Sequence, residues 1–201
     1  CQGAHDDGQG VVVSLELVRM MHQAGLRPRR TVRAVLFVDE EVRQSGAREY
    51  AAAHAHEAGK IVAAIETDLG VGPVAGFGFS GTDKGREQLR ELLLPLQTEL
   101  FGASPPPPPS VSPCEGTTAG PVPYSVAEVD SRWSGRGVDI SPLVDLGVPG
   151  LLLRHADTWW NTDYFHLHHS LSDTIDHVDR GLLLLNLKAC FGVAWVLANA
   201  D

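Results

Sequence analysis

The sequence is poor in cysteine, and its three cysteines form no short motif. Cys1, Cys114 and Cys190 are far apart and odd in number, and no CxxC pair occurs. That excludes a zinc knuckle and a disulfide framework, leaving room for one disulfide at most. Basic residues are also scarce: 16 Lys plus Arg stand against 25 Asp plus Glu, a net charge of −9. Nucleic acids and anionic membrane surfaces want a basic face, so neither is an expected partner. No apolar run approaches the roughly 18 residues that a membrane span needs. The longest candidate, "GLLLLNLKACFGVAWVLANA", is interrupted by Asn186 and Lys188 and reads as a buried C-terminal helix. Asn-x-Ser/Thr sequons, internal repeats, a signal peptide and an initiating Met are all lacking. The opening on a loop reads as that of a piece of something longer.

What is present is a globular composition, with 43% hydrophobic and 20% charged residues over 201 positions, enough for one domain with a core. Residues 10–24 carry apolar positions at helical spacing and stop at "GLRP". "TVRAVLFVDEE" and "KIVAAIETD" read as apolar strands ending in acids, with the Ala-rich helix "SGAREYAAAHAHEAG" between them. "AGFGFSG" reads as a short strand, and "TDKGREQLRELLLPLQTEL" as an amphipathic helix capped by Thr82 or Asp83. A Pro/Ser/Gly-rich stretch, about residues 103–121, has no packing pattern and reads as a solvated surface insertion. After it, "GVDISPLVDLGVPGLLLR" gives a short helix and a strand, a His-rich loop follows, and the last helix starts near Val178. Strands alternating with helices predict an α/β fold, a mostly parallel sheet flanked by helices. In such sheets ligands gather at the carboxyl ends of the strands.

The acids lie at those ends. Asp6 and Asp7 stand in the Gly-rich loop "AHDDGQG", Glu40 and Glu41 close one strand, Asp68 closes the next, and "HLHHSLSDT" forms a late loop. Each has an ordinary explanation: a helix cap, a solvated turn, a loop cap, a surface histidine cluster. Together they suggest a dication, because carboxylates crowded at one sheet edge without basic partners repel strongly, and carboxylate and imidazole are zinc ligands. Cobalt or manganese would suit an oxygen- and nitrogen-rich site nearly as well.

In this order the motifs "GAHDDGQG", "LRPRRTVRAVLFVDEEVRQSGA", "IETDLG", "GVDISPLVDLGVPG" and "YFHLHHSLSDTIDHVD" resemble the co-catalytic dizinc exopeptidases, the group of bacterial leucyl aminopeptidases and glutamate carboxypeptidases. The resemblance extends over nearly the whole chain, with the Pro-rich stretch as an insertion. It implies a single exopeptidase-like catalytic domain, residues 1–201, that represents a C-terminal portion lacking the first strands. It implies zinc, two ions per intact site, and a small peptide or dipeptide as substrate. Asp6 would bridge the metals, Glu41 and His169 would hold one, Asp68 the other, and Glu40 would be the general base. His168 and His166 are weaker alternatives to His169, and Asp7 a supporting acid.

The resemblance also implies a His-x-Asp motif upstream of the Asp6 loop, which a chain beginning at Cys1 lacks, so one zinc position is expected to be incomplete. Trp159, Trp160 and Tyr164 are candidate pocket-lining aromatics. A secreted or lysosomal setting follows from the resemblance alone. An exposed sheet edge left by missing strands would favour association, which makes a homodimer a candidate assembly. The competing reading is an inactive or truncated relative that serves as a binding or dimerisation module.

Overall fold

The computed structural model describes residues 2–101, 125–130, 133, 135–155 and 163–200. The Pro-rich insertion, Trp159 and Trp160 lie outside them. Helix α1 (Gln9–Gln23) buries Val13, Leu17 and Met21 at i, i+4 and i+8, the inward stripe of an amphipathic helix. Helix α2 (Ser45–His54) runs into a 3-10 turn, Ala55–Lys60, and leads to strand β1 (Ala64–Glu66). Strand β2 (Val74–Ser80) is followed by helix α3 (Asp83–Phe101), whose first turn is capped by Thr82: its Oγ1 accepts from the Gly85 backbone N at 3.0 Å. Strand β3 (Ser125–Asp130), helix α4 (Ser141–Asp145), strand β4 (Gly150–His155), the short helix α5 (Asp163–Leu167) and helix α6 (Arg180–Asn199) complete the described elements.

The four strands form one mixed sheet in the order β1-β4-β2-β3. β1 and β4 are parallel, β2 and β3 are parallel, and β2 runs antiparallel to β4. Gly76, at φ 118, sits where the β2–β3 and β2–β4 registers shift; a Cβ there would meet the Glu128 carbonyl oxygen at 2.0 Å, so only glycine fits. The main core joins the sheet residues Phe77, Leu151 and Leu153 to α1, α3 and α6. α6 is long and apolar enough to cross a membrane, yet here it is a core helix, with Ala189, Cys190 and Val193 fully covered.

Two strand expectations need correction. Residues 31–37 form no regular element and join no ladder, and Glu40 and Glu41 lie in a turn rather than at a strand end. The strand expected over 60–68 pairs only at Ala64–Glu66, and only with β4. Both stretches line one cavity of about 580 Å³, and neither is the other's ladder partner. A strand pattern sets an extended conformation, but a ladder also needs a neighbour about 4.8 Å away. Two elements went unforeseen: β3, which follows directly on the low-complexity stretch, and α5, which turns part of the His-rich loop into a helix.

Candidate metal centre

The turn Ala4–Gly8 carries Asp6 and is anchored from a distance. Asp173, 1% exposed, accepts the His5 backbone N on Oδ1 at 2.7 Å and the Asp6 backbone N on Oδ2 at 3.1 Å. Because Asp173 stands four residues beyond His169, one carboxylate ties the Asp6 loop to the His169 loop. His5 itself is buried behind the site, its Nε2 3.0 Å from the His177 carbonyl oxygen. His155, also buried, is bonded to Asn186, and burial pulls its pKa down to about 4. This polar layer supports the site from below the carboxyl edge of β4.

Three side chains meet above it. The Nε2 atom of His169 lies 2.9 Å from Glu41 Oε2 and 3.3 Å from Asp6 Oδ2. One donor atom from each residue falls within 4.8 Å of the other two. Tyr164, buried beneath, donates its hydroxyl to Asp6 Oδ1 at 3.3 Å and stacks on His168 with ring centroids 4.9 Å apart. Among the described residues, three other than glycine have left-handed backbone, and all bear on this spot: Asp39 (φ 65) and Gln44 (φ 51) bracket the Glu40–Glu41 turn, and His169 is at φ 57. Each such residue costs about 1–3 kcal/mol and persists only where its surroundings hold it. The turn is held by the Gln44 and Arg43 backbone N atoms donating to the Asp39 carbonyl, and by Ser45 Oγ donating to Asp39 Oδ2.

Beside this trio lies a cavity of about 360 Å³ lined by Asp6, Asp7, Glu40, Glu66, Asp68 and Asp139 among others. Its described lining holds no Lys, Arg or His. Burial, then the charges of Asp7, Glu66, Asp6 and Glu40, push Asp68 up to about 9. Burial raises Asp7 to about 8 against the opposing bonds from the Gly10 backbone and Gln9. Glu66 rises to about 7 through burial, although it accepts the Asp139 and Ile140 backbone N atoms at 2.9 and 2.8 Å. Asp139 rises to about 6, from burial and then Glu40. Asp6 is raised as well, by burial first and Glu41 second. Five carboxyl groups thus crowd one site.

The donor set fits a metal ion. Ligand atoms on one tetrahedral zinc stand roughly 3.4 Å apart, given Zn–O and Zn–N distances of about 2.0–2.2 Å. The 2.9 and 3.3 Å separations around His169 Nε2 are close to that spacing. A dication also answers the raised carboxylates, since it favours their ionised form.

Of the residues expected from sequence, Asp6, Glu41 and His169 converge. Asp68 and Glu40 line the adjoining cavity, Glu40 Oε1 accepting from Gln44 Nε2 at 3.1 Å. Asp7 turns toward α1, where Oδ1 accepts from Gln9 Nε2 and the Gly10 backbone N, a helix-terminus contact. His168 packs on Tyr164 and His166 is exposed; neither meets Glu41. Glu66, Asp139 and Asp173 were not foreseen from the sequence. For Asp173 a signal existed, its place in "HSLSDT"; Glu66 and Asp139 carried none, because each depends on a contact 73 residues away in the chain.

Loops of this α/β domain thus bring two carboxylates and an imidazole together beside a carboxylate-lined cavity. The chain belongs to peptidase family M28, whose profile matches residues 1–106. It is 32% identical over 200 residues to carboxypeptidase Q of Mus musculus and 30% identical to carboxypeptidase Q of Homo sapiens, in each case over 100% of this chain and 36% of the relative. The chain thus spans about a third of the length of these relatives. Among solved structures, a peptidase M28 precursor from Shewanella amazonensis SB2B superposes with a TM-score of 0.77 at 29% identity, covering 99% of this chain and 38% of that one. An aminopeptidase from Aneurinibacillus sp. strain AM-1 shares the fold, with a TM-score of 0.59 at 24% identity over 96% of this chain and 39% of that one.

Proposed function

We propose that this chain carries the metal centre of a zinc-dependent exopeptidase that hydrolyses small peptides, dipeptides above all. The observation that supports it most is the convergence of Asp6, Glu41 and His169 from three distant parts of a chain in a peptidase family. These three would hold one zinc, three protein ligands being the usual number at a catalytic ion. Asp6 and Asp68 would share in holding a second, more weakly. Bound zinc would polarise the scissile carbonyl and acidify a water.

The chain's own residues do the rest. Glu40, on the cavity wall and steadied by Gln44, takes the proton of the attacking water and gives it to the leaving amine. Tyr164 fixes the orientation of the Asp6 carboxylate through its hydroxyl. Asp173 keeps the Asp6 and His169 loops in register, a contact of the kind whose loss costs about 10–100-fold in metal affinity. A secreted or lysosomal setting and homodimerisation belong to the same reading.

The test is hydrolysis of a panel of unblocked dipeptides by the 201-residue chain with zinc added, after zinc removal, and after removal and re-addition. The proposal expects weak hydrolysis that follows zinc and vanishes when the termini of the dipeptide are blocked. Peptide binding without any zinc-dependent cleavage would favour the binding-module reading instead.

A further inference from the structure

Asp173 ties the Asp6 loop to the His169 loop, but Asp68 is placed by a different contact. The β1–β4 ladder ends at Glu66, paired with Leu152, so Asp68 stands two residues past the last pair. Side chains from around the Asp6 turn hold this stretch. Just ahead of Asp68, the Gln9 amide meets Thr67 twice. Its Nε2 donates to the Thr67 carbonyl oxygen at 3.1 Å, and its Oε1 accepts from Thr67 Oγ1 at 3.3 Å. The same Nε2 donates to Asp7 Oδ1 at 2.8 Å. Just past Asp68, Gly70 packs against His5 and Tyr164. His5 and Gln9 flank Asp6 and Asp7 in the sequence, so the two acidic stretches are keyed to one another from both sides.

The fit around Gln9 is close. A Cβ at position 10 would lie 2.3 Å from both Asp7 Oδ2 and the Thr67 carbonyl oxygen, so α1 enters this contact on a glycine. Gln9 is 2% exposed and Thr67 6%, which leaves little room for water to take over the bonds. A primary amide carries two donors and an acceptor. Here the donors go to a carboxylate and a carbonyl, and the acceptor takes a hydroxyl. Glu at this position would offer no donor when ionised, and Met neither role. Among the charges acting on Asp68, that of Asp7 is the strongest, as befits carboxyl groups held side by side.

We propose that Gln9 is a positioning residue: its amide locks the strand end Thr67–Asp68 to the Asp6–Asp7 turn and so sets Asp68 beside Asp6 on the wall of the carboxylate-lined cavity. The inference rests on the reading of Asp6 and Asp68 as ligands of a second ion. It gives the two metal positions separate supports, Asp173 for the first and Gln9 for the second. Removing the Gln9 amide therefore weakens the second position and spares the first.

The test takes the 201-residue chain with one equivalent of zinc and titrates it with manganese, an ion suited to carboxylate oxygens that competes poorly with zinc for a site containing imidazole. Free manganese is counted from its electron paramagnetic resonance signal, so the readout is independent of hydrolysis. Asp68→Asn locates the manganese and is expected to abolish its binding. Gln9→Met keeps the length of the side chain without its donors, and Gln9→Glu keeps the acceptor but sets a carboxylate against Asp7. Both are expected to weaken manganese binding by about 10–100-fold, while zinc affinity, measured against a competing chelator, stays within about threefold. Melting curves of the zinc-loaded variants report folding, and if Gln9→Met does not fold, Gln9→Glu decides. Unchanged manganese binding in the folded variants would overturn the role of Gln9 and leave the metal reading standing. Parallel loss of zinc and manganese, or failure of both variants to fold, would make Gln9 a general support of the fold and overturn the assignment as well. A parent chain that holds zinc but takes up no manganese would overturn the inference together with the reading of Asp68 as a ligand.

Discussion

Glu40→Gln is expected to reduce dipeptide turnover by about 10²–10⁴-fold while the chain keeps its zinc, and Glu41→Gln is expected to lose the zinc itself. The two residues are neighbours, yet the turn sends them to different places. Glu41 points out to His169, with Oε2 2.9 Å from Nε2. Glu40 points into the carboxylate-lined cavity and is held by Gln44. Gln preserves shape in both cases and removes only the charge and the proton-accepting oxygen. At position 40 that removes the base and leaves the metal ligands intact. At position 41 it removes one of three charged or imidazole donors around a common point. Zinc content and initial rate, measured on the same preparations, separate the two roles. Equal metal loss in both variants would show that the division of labour is wrong.

The zinc-free chain is expected to lose stability as the pH rises from about 5 to 9, and zinc is expected to abolish that loss. Burial raises Glu66, Asp7 and Asp68 from ordinary values of 4.5, 3.8 and 3.8 to about 7, 8 and 9. A carboxyl raised on folding binds protons more tightly in the folded state. Its favourable contribution is complete below the unfolded value and disappears as the pH climbs through the folded one. A tenfold gain in proton affinity on folding corresponds to about 1.4 kcal/mol, so the combined effect of the three acids is on the order of several kcal/mol. His155 acts oppositely: lowered to about 4, it favours folding above the ordinary value of 6.5 and that stability is lost as the pH falls toward 4. The zinc-free chain should therefore be most stable in mildly acidic solution. Zinc needs the ionised carboxylates and binds only the folded site, so it should reverse the slope above neutral pH. Melting temperatures across this range, with zinc and with a chelator, make the comparison. A flat zinc-free profile would mean that the carboxylates are not held as the structure has them.

Much of the arrangement can be read in the residues themselves, because it depends on local chemistry. The Val- and Leu-rich stretches, the caps and the Gly stops set the helices α1, α2, α3 and α6 and the strands β2 and β4 near their observed positions. Asp6, Glu41 and His169 were named only through the family resemblance of the short motifs they stand in, and in the structure these three side chains meet. His169 differs from His168 only in standing next to Ser170, and in the structure it is His169 that faces Glu41 while His168 packs on Tyr164.

What was not legible depends on partners far away in the chain. Residues 31–41 have every intrinsic mark of a strand, but pairing is a property of two segments, and the adjoining position is a cavity. Glu66 looks like one more acid at a strand end until the backbone N atoms of Asp139 and Ile140 are found on its carboxylate. β3 was hidden because "SVAEVD" is short and follows a stretch with no packing pattern.

The central claim is that Asp6, Glu41 and His169 form a metal centre, and locating zinc tests it most directly. Crystals of the 201-residue chain soaked in dilute zinc and measured on either side of the zinc absorption edge should show one strong anomalous peak within about 2.0–2.2 Å of Asp6 Oδ2, Glu41 Oε2 and His169 Nε2. Any second peak, near Asp68, should be weaker, and His169→Ala should remove the first. An ion bound elsewhere while these three donors stay bare, or a peak that survives His169→Ala unchanged, would contradict the account.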